Sequence, residues 1–232
     1  MVTLTDRSLL ALLPKALSAS LFLGFCGLAP AQGDAAADQD PALLGDKAKG
    51  VQYRWIEGWG QQPDKNLGST HGCMVVDKQG RIFVNTDTEA AVVVFNSQGE
   101  IVETFGKEFR GGLHGMAIRE EDDEEFLYLA HTGRHEVVKT TLGGDVLWTL
   151  GYPEEAGIYK DANEYRPTAV AVAPDGGLFV GDGYGKSWVH IYDKDRKYVK
   201  SIGGRGKEDG KFQTPHGLWM DTRKDEPLLM VA

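Results

Sequence analysis

Hydrophobic and polar positions alternate in short runs along this chain, and the same order of runs returns several times. Each unit has an apolar run, a glycine-containing turn, a second apolar run, a polar turn, an alternating strand and a last strand that ends in glycine. The clearest copies are residues 71–106 and 167–203, and a more divergent copy at 114–151 lies between them. Short apolar runs separated by turn residues at regular spacing predict short antiparallel strands, four in each unit.

A repeated unit of four short strands is typical of a β-propeller blade, because a single blade cannot bury both faces of its sheet. A further copy begins near residue 216 and the sequence stops at Ala232, so 216–232 predicts about half a blade. We therefore predict an all-β fold, a six-bladed β-propeller of which this chain contains about three and a half blades. The sequence is expected to be a fragment of a longer protein.

Residues 51–60 have the pattern of a last blade strand, although no first three strands precede them. In closed propellers an N-terminal strand commonly completes the final blade, which removes its exposed edge. We therefore predict that 51–60 is the closing strand and that 51–232 is one incomplete propeller.

The first 31 residues have the pattern of a targeting segment. Arg7 and Lys15 are followed by an apolar stretch and by an Ala-Pro-Ala sequence that ends at Ala31. This pattern predicts a signal peptide over 1–31 with cleavage near Ala31, and its apolar stretch is shorter than a membrane span requires. We expect a secreted or periplasmic protein with no membrane span after cleavage and a flexible N-terminus at 32–50.

The charge of the chain bears on its partners. The formal net charge is −9, and it becomes −10 without the signal peptide. A chain this acidic repels phosphate backbones, and its basic residues form no stripe, so we expect no nucleic-acid partner. Because Cys26 leaves with the signal peptide, Cys73 would be alone and no intrachain disulfide is expected.

Strand order places the candidate chemistry at one end of the propeller. Residues at the start of first strands and residues just after second strands meet at the same pole, close to the axis, where sites on rigid β scaffolds usually lie. The side chains expected there are His114, Thr168 and His216 at strand starts, and His131, Asp182 and Tyr184 after second strands.

Two of these histidines have the spacing of metal ligands. His114 and His216 fall in alternate blades, about 120° apart in a six-bladed ring, and a third histidine so placed would complete a catalytic zinc site. A strand-start histidine can also simply hydrogen-bond a neighbouring turn. His71 begins a similar His-Gly pair but is one residue out of register, so we expect its side chain on the other face, with a turn or capping role.

The repeats resemble NHL repeats, and the stretch from Pro167 to Asp221 resembles the catalytic core of peptidyl-α-hydroxyglycine α-amidating lyase. The resemblance rests on a DGY motif at 182–184 followed by a PHGL motif at 215–218, and it covers roughly residues 110–232. The family's cysteine next to the tyrosine is Gly185 here, so the family's disulfide is absent.

The resemblance implies roles for four residues. His114 and His216 would be two of three zinc ligands, Tyr184 would be the catalytic tyrosine, and the backbone carbonyl of Met116 would bind a structural calcium ion. The family's third histidine, its neighbouring aspartate and a substrate-binding arginine would lie at or beyond Ala232.

Two function hypotheses follow. The first is a metal-dependent lyase that acts on a peptide-like substrate ending in hydroxyglycine and releases an amide and glyoxylate. The alternative is a non-catalytic propeller scaffold that binds a peptide or another protein at its histidine-bearing pole. The sequence leaves the substrate and the identity of the metal open.

Overall fold

A computed structural model of the chain describes residues 43–46, 51–62 and 66–232. Short strands make up nearly all of its regular structure: β1 (Leu43–Asp46), β2 (Val51–Arg54), β3 (Met74–Val76), β4 (Ile82–Asn85), β5 (Val92–Phe95), β6 (Ile101–Phe105), β7 (Leu113–Glu121), β8 (Glu124–His131), β9 (Glu136–Thr141), β10 (Val146–Leu150), β11 (Ala169–Val172), β12 (Leu178–Gly181), β13 (Trp188–Tyr192), β14 (Tyr198–Gly203), β15 (Leu218–Asp221) and β16 (Leu228–Val231). Single-turn 3₁₀-helices are formed by Lys107–Phe109, Glu154–Ala156 and Ala162–Glu164. Within the described ranges no helix is long and apolar enough to cross a membrane.

In the N-terminal unit, residues 1–59, the described residues include an antiparallel pair of strands. Strand β1 pairs with β2 so that Leu43 faces Arg54 and Asp46 faces Val51. We predicted a flexible segment at 32–50, but 43–46 is a strand because its backbone pairs with β2. The predicted signal peptide at 1–31 lies outside the described residues. A strand does form at the start of 51–60 but ends at Arg54, and its role in closing the propeller stays a prediction.

The second unit, residues 60–232, consists of blade-like antiparallel sheets. Strands β3 to β6, β7 to β10 and β11 to β14 form three four-stranded sheets with neighbours in chain order, and β15 pairs with β16. These sheets coincide with the repeats at 71–106, 114–151, 167–203 and 216–232, except that β7 begins one residue earlier, at Leu113. The chain is thus an incomplete all-β propeller, as the repeats predict, and the number of blades in the intact protein stays a prediction.

The turns between strands explain why glycine recurs at fixed places in the repeats. Each of four glycines donates its backbone N–H to the carbonyl three residues earlier, at 3.0–3.1 Å. All four have a positive φ, between +78° and +94°, which glycine adopts without steric cost. The four glycines are Gly80, Gly99, Gly144 and Gly176.

The hydrophobic core lies between neighbouring blades. One buried cluster joins the first two sheets through Phe83, Val94, Phe109, Leu127 and Leu129. A second cluster joins the next pair of sheets through Tyr128, Tyr165, Val170, Leu178 and Val180. The three four-stranded sheets therefore bury apolar faces against one another, which is the packing that a repeat of single blades requires.

The innermost strands of successive blades lie side by side, β3 beside β7, β7 beside β11, and β11 beside β15. At the β7–β11 contact a Cβ atom on Gly115 would lie 2.4 Å from the carbonyl oxygen of Thr168, so only glycine permits this approach. The strand starts of different blades are therefore brought close together at one end of the sheets.

Truncation of Phe109 tests the packing between blades. Its side chain is 1% exposed and lies in the first cluster, so Phe109→Ala should lower the free energy of unfolding of the full-length protein by about 3–5 kcal/mol. Val102 on β6 is 51% exposed, and Val102→Ala should change the free energy of unfolding by less than about 0.5 kcal/mol. Urea denaturation measures both values, and similar losses for the two variants would contradict the packing described.

Candidate functional site

A cavity of about 160 Å³ lies where the starts of the innermost strands meet. His71 and Cys73 precede β3, His114 is the second residue of β7, Thr168 precedes β11, and His216 precedes β15. All five residues line this cavity. Each blade thus contributes the residues around one strand start, as strand order predicts for a propeller pole.

His114 is held in one tautomer by its neighbour. Its ring is buried, and its Nδ1 lies 2.8 Å from the carbonyl oxygen of Thr168. A carbonyl only accepts hydrogen bonds, so Nδ1 carries the proton. Burial lowers the pKa of His114 to about 4. The hydrogen bond to Thr168 raises this pKa, whereas the nearby His216 and His71 lower it further. The ring is therefore neutral at pH 7, and Nε2 presents a lone pair to the cavity.

The hydroxyl of Tyr184 joins the two predicted metal ligands. Tyr184 lies in the turn between β12 and β13, and its Oη is 3.1 Å from Nε2 of His114 and 2.9 Å from Nε2 of His216. Because Nε2 of His114 is an acceptor, the hydroxyl donates its proton there and accepts from the N–H of His216. The structure thus brings His114, His216 and Tyr184, from three successive blades, around one point.

This arrangement fits two positions of a zinc site. Both Nε2 atoms face the same oxygen, and the Thr168 carbonyl orients one imidazole from behind, as carbonyl partners do for metal-binding histidines. A structural or catalytic zinc ion takes at least three protein ligands. In the part of the chain that the structure describes, no three His, Cys, Asp or Glu side chains form a group that could hold a metal ion.

The prediction that His71 lies apart from this site is wrong. Its ring stacks on that of His114, with centroids 4.7 Å apart and planes at 28°. Strand alternation does not govern His71, because it lies before β3 in a bend where Gly72 has φ +76°. The His-Gly pair was the available signal, and it is a better guide here than the register count.

The prediction that His131 lines the pole is also wrong. It ends β8 at the same edge, but its ring is covered by the loop before β7. A Cβ atom on Gly112 in that loop would lie only 2.2 Å from Cε1 of His131. Its Nδ1 accepts the backbone N–H of Arg134 at 3.1 Å, and its Nε2 donates to the carbonyl of Phe109 at 3.0 Å. His131 therefore has a structural role.

Asp182 lies beneath the pole and does not line the cavity. Its side chain is fully buried and accepts hydrogen bonds from the backbone N–H groups of Arg166 and Lys186 and from the hydroxyl of Tyr159. Burial raises its pKa, while these hydrogen bonds act in the opposite direction. Sequence reasoning placed Asp182 at the correct end of β12 but missed Tyr159, which comes from a connecting loop with no repeat to align it.

Met116, the residue assigned to calcium, makes two contacts with Cys73. Its N–H donates to Sγ at 2.8 Å, and its carbonyl lies 3.2 Å from the same sulfur and accepts the S–H. Burial raises the pKa of Cys73, which keeps the thiol protonated, and Cys73 is a free cysteine among the described residues. A carbonyl has a second lone pair, so calcium binding by Met116 stays a prediction.

Comparison with known proteins supports the resemblance seen in the motifs. A probable peptidyl-alpha-hydroxyglycine alpha-amidating lyase of Caenorhabditis elegans is 26% identical over 182 residues, which are 67% of this chain and 51% of that protein. The chain is similar to this lyase. It spans about half the length of the curated relative, and no family model matches it.

Solved structures support the fold. A streptogramin B lyase superposes with a TM-score of 0.50 at 9% identity, over 68% of this chain and 46% of that one. A virginiamycin B lyase from Staphylococcus aureus, with quinupristin, gives a TM-score of 0.46 at 12% identity, over 73% and 48% of the two chains. The first of these structures confirms the propeller fold. At 9% identity the similarity supports a shared fold and nothing further.

Protonation of His131 should destabilise the fold. Burial lowers its pKa from 6.5 to about 4, so the unfolded chain binds a proton that the folded chain excludes between these values. Its stabilising effect is full above about pH 6.5 and is lost as pH falls toward 4. In His131→Gln, the unfolding free energy measured by urea denaturation should fall less steeply over this range, by up to about 1.4 kcal/mol per pH unit. An unchanged slope would contradict the neutral, buried state.

Proposed function

We propose that this chain carries part of the active site of a secreted or periplasmic, metal-dependent carbon–nitrogen lyase. Its substrate would be a peptide-like molecule ending in α-hydroxyglycine, and its products would be the peptide amide and glyoxylate. The proposal rests on one observation: the hydroxyl group of Tyr184 contacts Nε2 of both His114 and His216. Those three residues are the ones to which the family resemblance gives the two zinc ligands and the catalytic tyrosine.

The position of Tyr184 suits proton transfer with a bound substrate. Tyr184 is 44% exposed, whereas His114 is 3% exposed, so the tyrosine is accessible from solvent while its histidine partner is buried. A general base must be able to reach the proton that it removes, and an exposed phenol on a rigid hairpin meets that requirement.

The reaction breaks one C–N bond and moves one proton from the hydroxyl oxygen to the amide nitrogen. Tyr184 would act as the general base that takes the proton of the substrate's α-hydroxyl group, and the C–O bond becomes a carbonyl as the C–N bond breaks. The bonding electrons pass to the amide nitrogen, which takes up a proton. The products are the amide and glyoxylate, and neither an oxidant nor a water molecule is consumed.

His114 and His216 would hold a zinc ion through their Nε2 atoms, and for this the proton on Nε2 of His216 would move to its Nδ1. When bound, zinc supplies Lewis-acid polarisation of a substrate oxygen. The proposal requires a third protein ligand, which the resemblance implies on a further blade. Thr168 keeps its role in either case, because its carbonyl fixes the tautomer that leaves Nε2 of His114 unprotonated.

The second candidate is a scaffold that binds a peptide at the same pole. It is favoured by the observation that the described residues form no group of three metal-binding side chains. The exposed rings of His71, Tyr184 and His216 would then provide stacking and hydrogen bonds to a peptide. The two candidates differ in whether metal binds and whether glyoxylate is released.

Removal of His216 should abolish metal binding without unfolding the protein. The full-length protein should bind about one zinc ion, and His216→Ala should weaken binding at least 100-fold because the exposed imidazole that would contact the zinc ion is lost. His135→Asn is the matched control, since His135 contacts Tyr165 instead and asparagine tolerates its φ of +58°. Calorimetric titration with zinc checks both variants, and equal affinities for them would exclude His216 as a ligand.

Tyr184→Phe should keep the metal and lose the reaction. The variant keeps the ring and removes only the oxygen that accepts the proton, so glyoxylate release from a hydroxyglycine-extended peptide should fall about 10²–10⁴-fold. Tyr152→Phe, on a tyrosine outside the cavity, should retain the wild-type rate. If wild-type protein loaded with zinc releases no glyoxylate, the lyase proposal fails and the scaffold candidate replaces it.

A further inference from the structure

The turn that carries Tyr184 is built around a buried carboxylate. Asp182 opens the turn, and its Oδ1 accepts the N–H of Arg166 at 2.7 Å, from the segment before β11. Its Oδ2 accepts the N–H of Lys186 at 2.6 Å, on the far side of Tyr184. The backbone adds a bond from the N–H of Tyr184 to the carbonyl of Arg166 at 3.3 Å and one from Ser187 to Asp182 at 3.0 Å. The turn is therefore fixed on both sides of the tyrosine.

Two glycines allow the turn to close this tightly. A Cβ on Gly185 would lie 2.1 Å from Oδ1 of Asp182, and a Cβ on Gly183 would lie 2.5 Å from Oγ1 of Thr168 and 2.6 Å from the carbonyl oxygen of Pro215. Thr168 orients His114, and Pro215 precedes His216. The turn is thus packed directly against the residues that place both histidines.

A chain of buried hydrogen bonds ends at the same carboxylate. The hydroxyl of Tyr159 lies 2.7 Å from Oδ2 of Asp182 and 2.6 Å from Nε2 of His190. Nδ1 of His190 lies 2.7 Å from Oγ of Ser201, which lies 2.8 Å from the hydroxyl of Tyr198. Because the carboxylate only accepts, Tyr159 donates to it and accepts from His190.

The protons along this chain can all point toward Asp182. Burial lowers the pKa of His190 to about 4, so the ring is neutral at pH 7 and carries one proton, on Nε2. Nδ1 then accepts from Ser201, and Ser201 accepts from Tyr198. Donors aligned in one direction reinforce one another in a buried setting and stabilise the anion at the end.

We propose that Asp182 is the positioning residue that holds the Tyr184 hydroxyl between His114 and His216. This inference rests on the proposed function, in which Tyr184 accepts the substrate proton. It gives the buried carboxylate a role beyond turn formation, because its bonds lie on both sides of the tyrosine and reach the segment before β11, which carries Thr168. Asp193, at the turn between β13 and β14, accepts only from the N–H groups of Asp195 and Lys197 in the turn itself.

Asp182→Asn tests this role with little change of volume. The amide offers one acceptor atom instead of two, so one of the N–H groups of Arg166 and Lys186 would face another donor. We expect kcat for glyoxylate release to fall about 10–100-fold, while KM stays within about twofold and zinc binding is unchanged. The matched control is Asp193→Asn at the opposite end of the same blade, which should leave kcat unchanged.

A double variant separates positioning from general destabilisation. In a Tyr184→Phe background, Asp182→Asn should cause no further loss of activity, because it acts through the missing hydroxyl. Equal losses in the two backgrounds would overturn the proposal, as would wild-type kcat in Asp182→Asn alone. If Asp182→Asn does not fold, Gly185→Ala replaces it, since its Cβ would displace the carboxylate and should give the same kinetic effect.

Amide hydrogen exchange decides the proposal even if the lyase function fails. Exchange of the amides at 183–187 should rise at least 10-fold in Asp182→Asn and stay at the wild-type rate in Asp193→Asn. Unchanged exchange at 183–187 in Asp182→Asn would overturn the positioning role. Absence of glyoxylate release by the wild-type protein, with raised exchange in the variant, would instead contradict only the proposed reaction.

Discussion

The close contact between Gly115 on β7 and Thr168 before β11 is the constraint on which the site depends. With no Cβ at Gly115, the two innermost strands approach until the Thr168 carbonyl reaches Nδ1 of His114. That bond selects the tautomer, and burial at the same contact keeps the ring neutral. A larger residue at 115 would separate the blades and release the imidazole that faces the cavity.

The residue Thr168 at this contact also explains why polar side chains of several blades lie close together at this pole. Thr168 also donates its hydroxyl hydrogen to a carbonyl of Gly181 or Pro215, 3.1 and 2.9 Å away, and accepts from the N–H of Gly183 at 3.2 Å. One residue of the third blade therefore touches the strand starts of the second and fourth blades and the turn with the tyrosine. Hydrogen-bonding groups fixed in this way hold the side chains of a site in place without reorganisation.

The repeats and strand order predicted the parts of the fold that follow from local pattern. Alternation, turn glycines and copy length are local properties, so they placed the sheets and brought His114, His216 and Tyr184 to one pole. His71 and His131 could not be placed in this way, because the bend before β3 and the loop before β7 decide their positions. Tyr159 was missed for the same reason, since it lies in a connection that no repeat aligns.

The proposed function requires that His114 and His216 hold a metal ion beside Tyr184. Anomalous diffraction at the zinc edge, from crystals of the full-length protein soaked in zinc, can detect such an ion. We expect one peak about 2.0–2.1 Å from Nε2 of both histidines. A map with no peak there, in which both imidazoles still bond the hydroxyl of Tyr184, would contradict it.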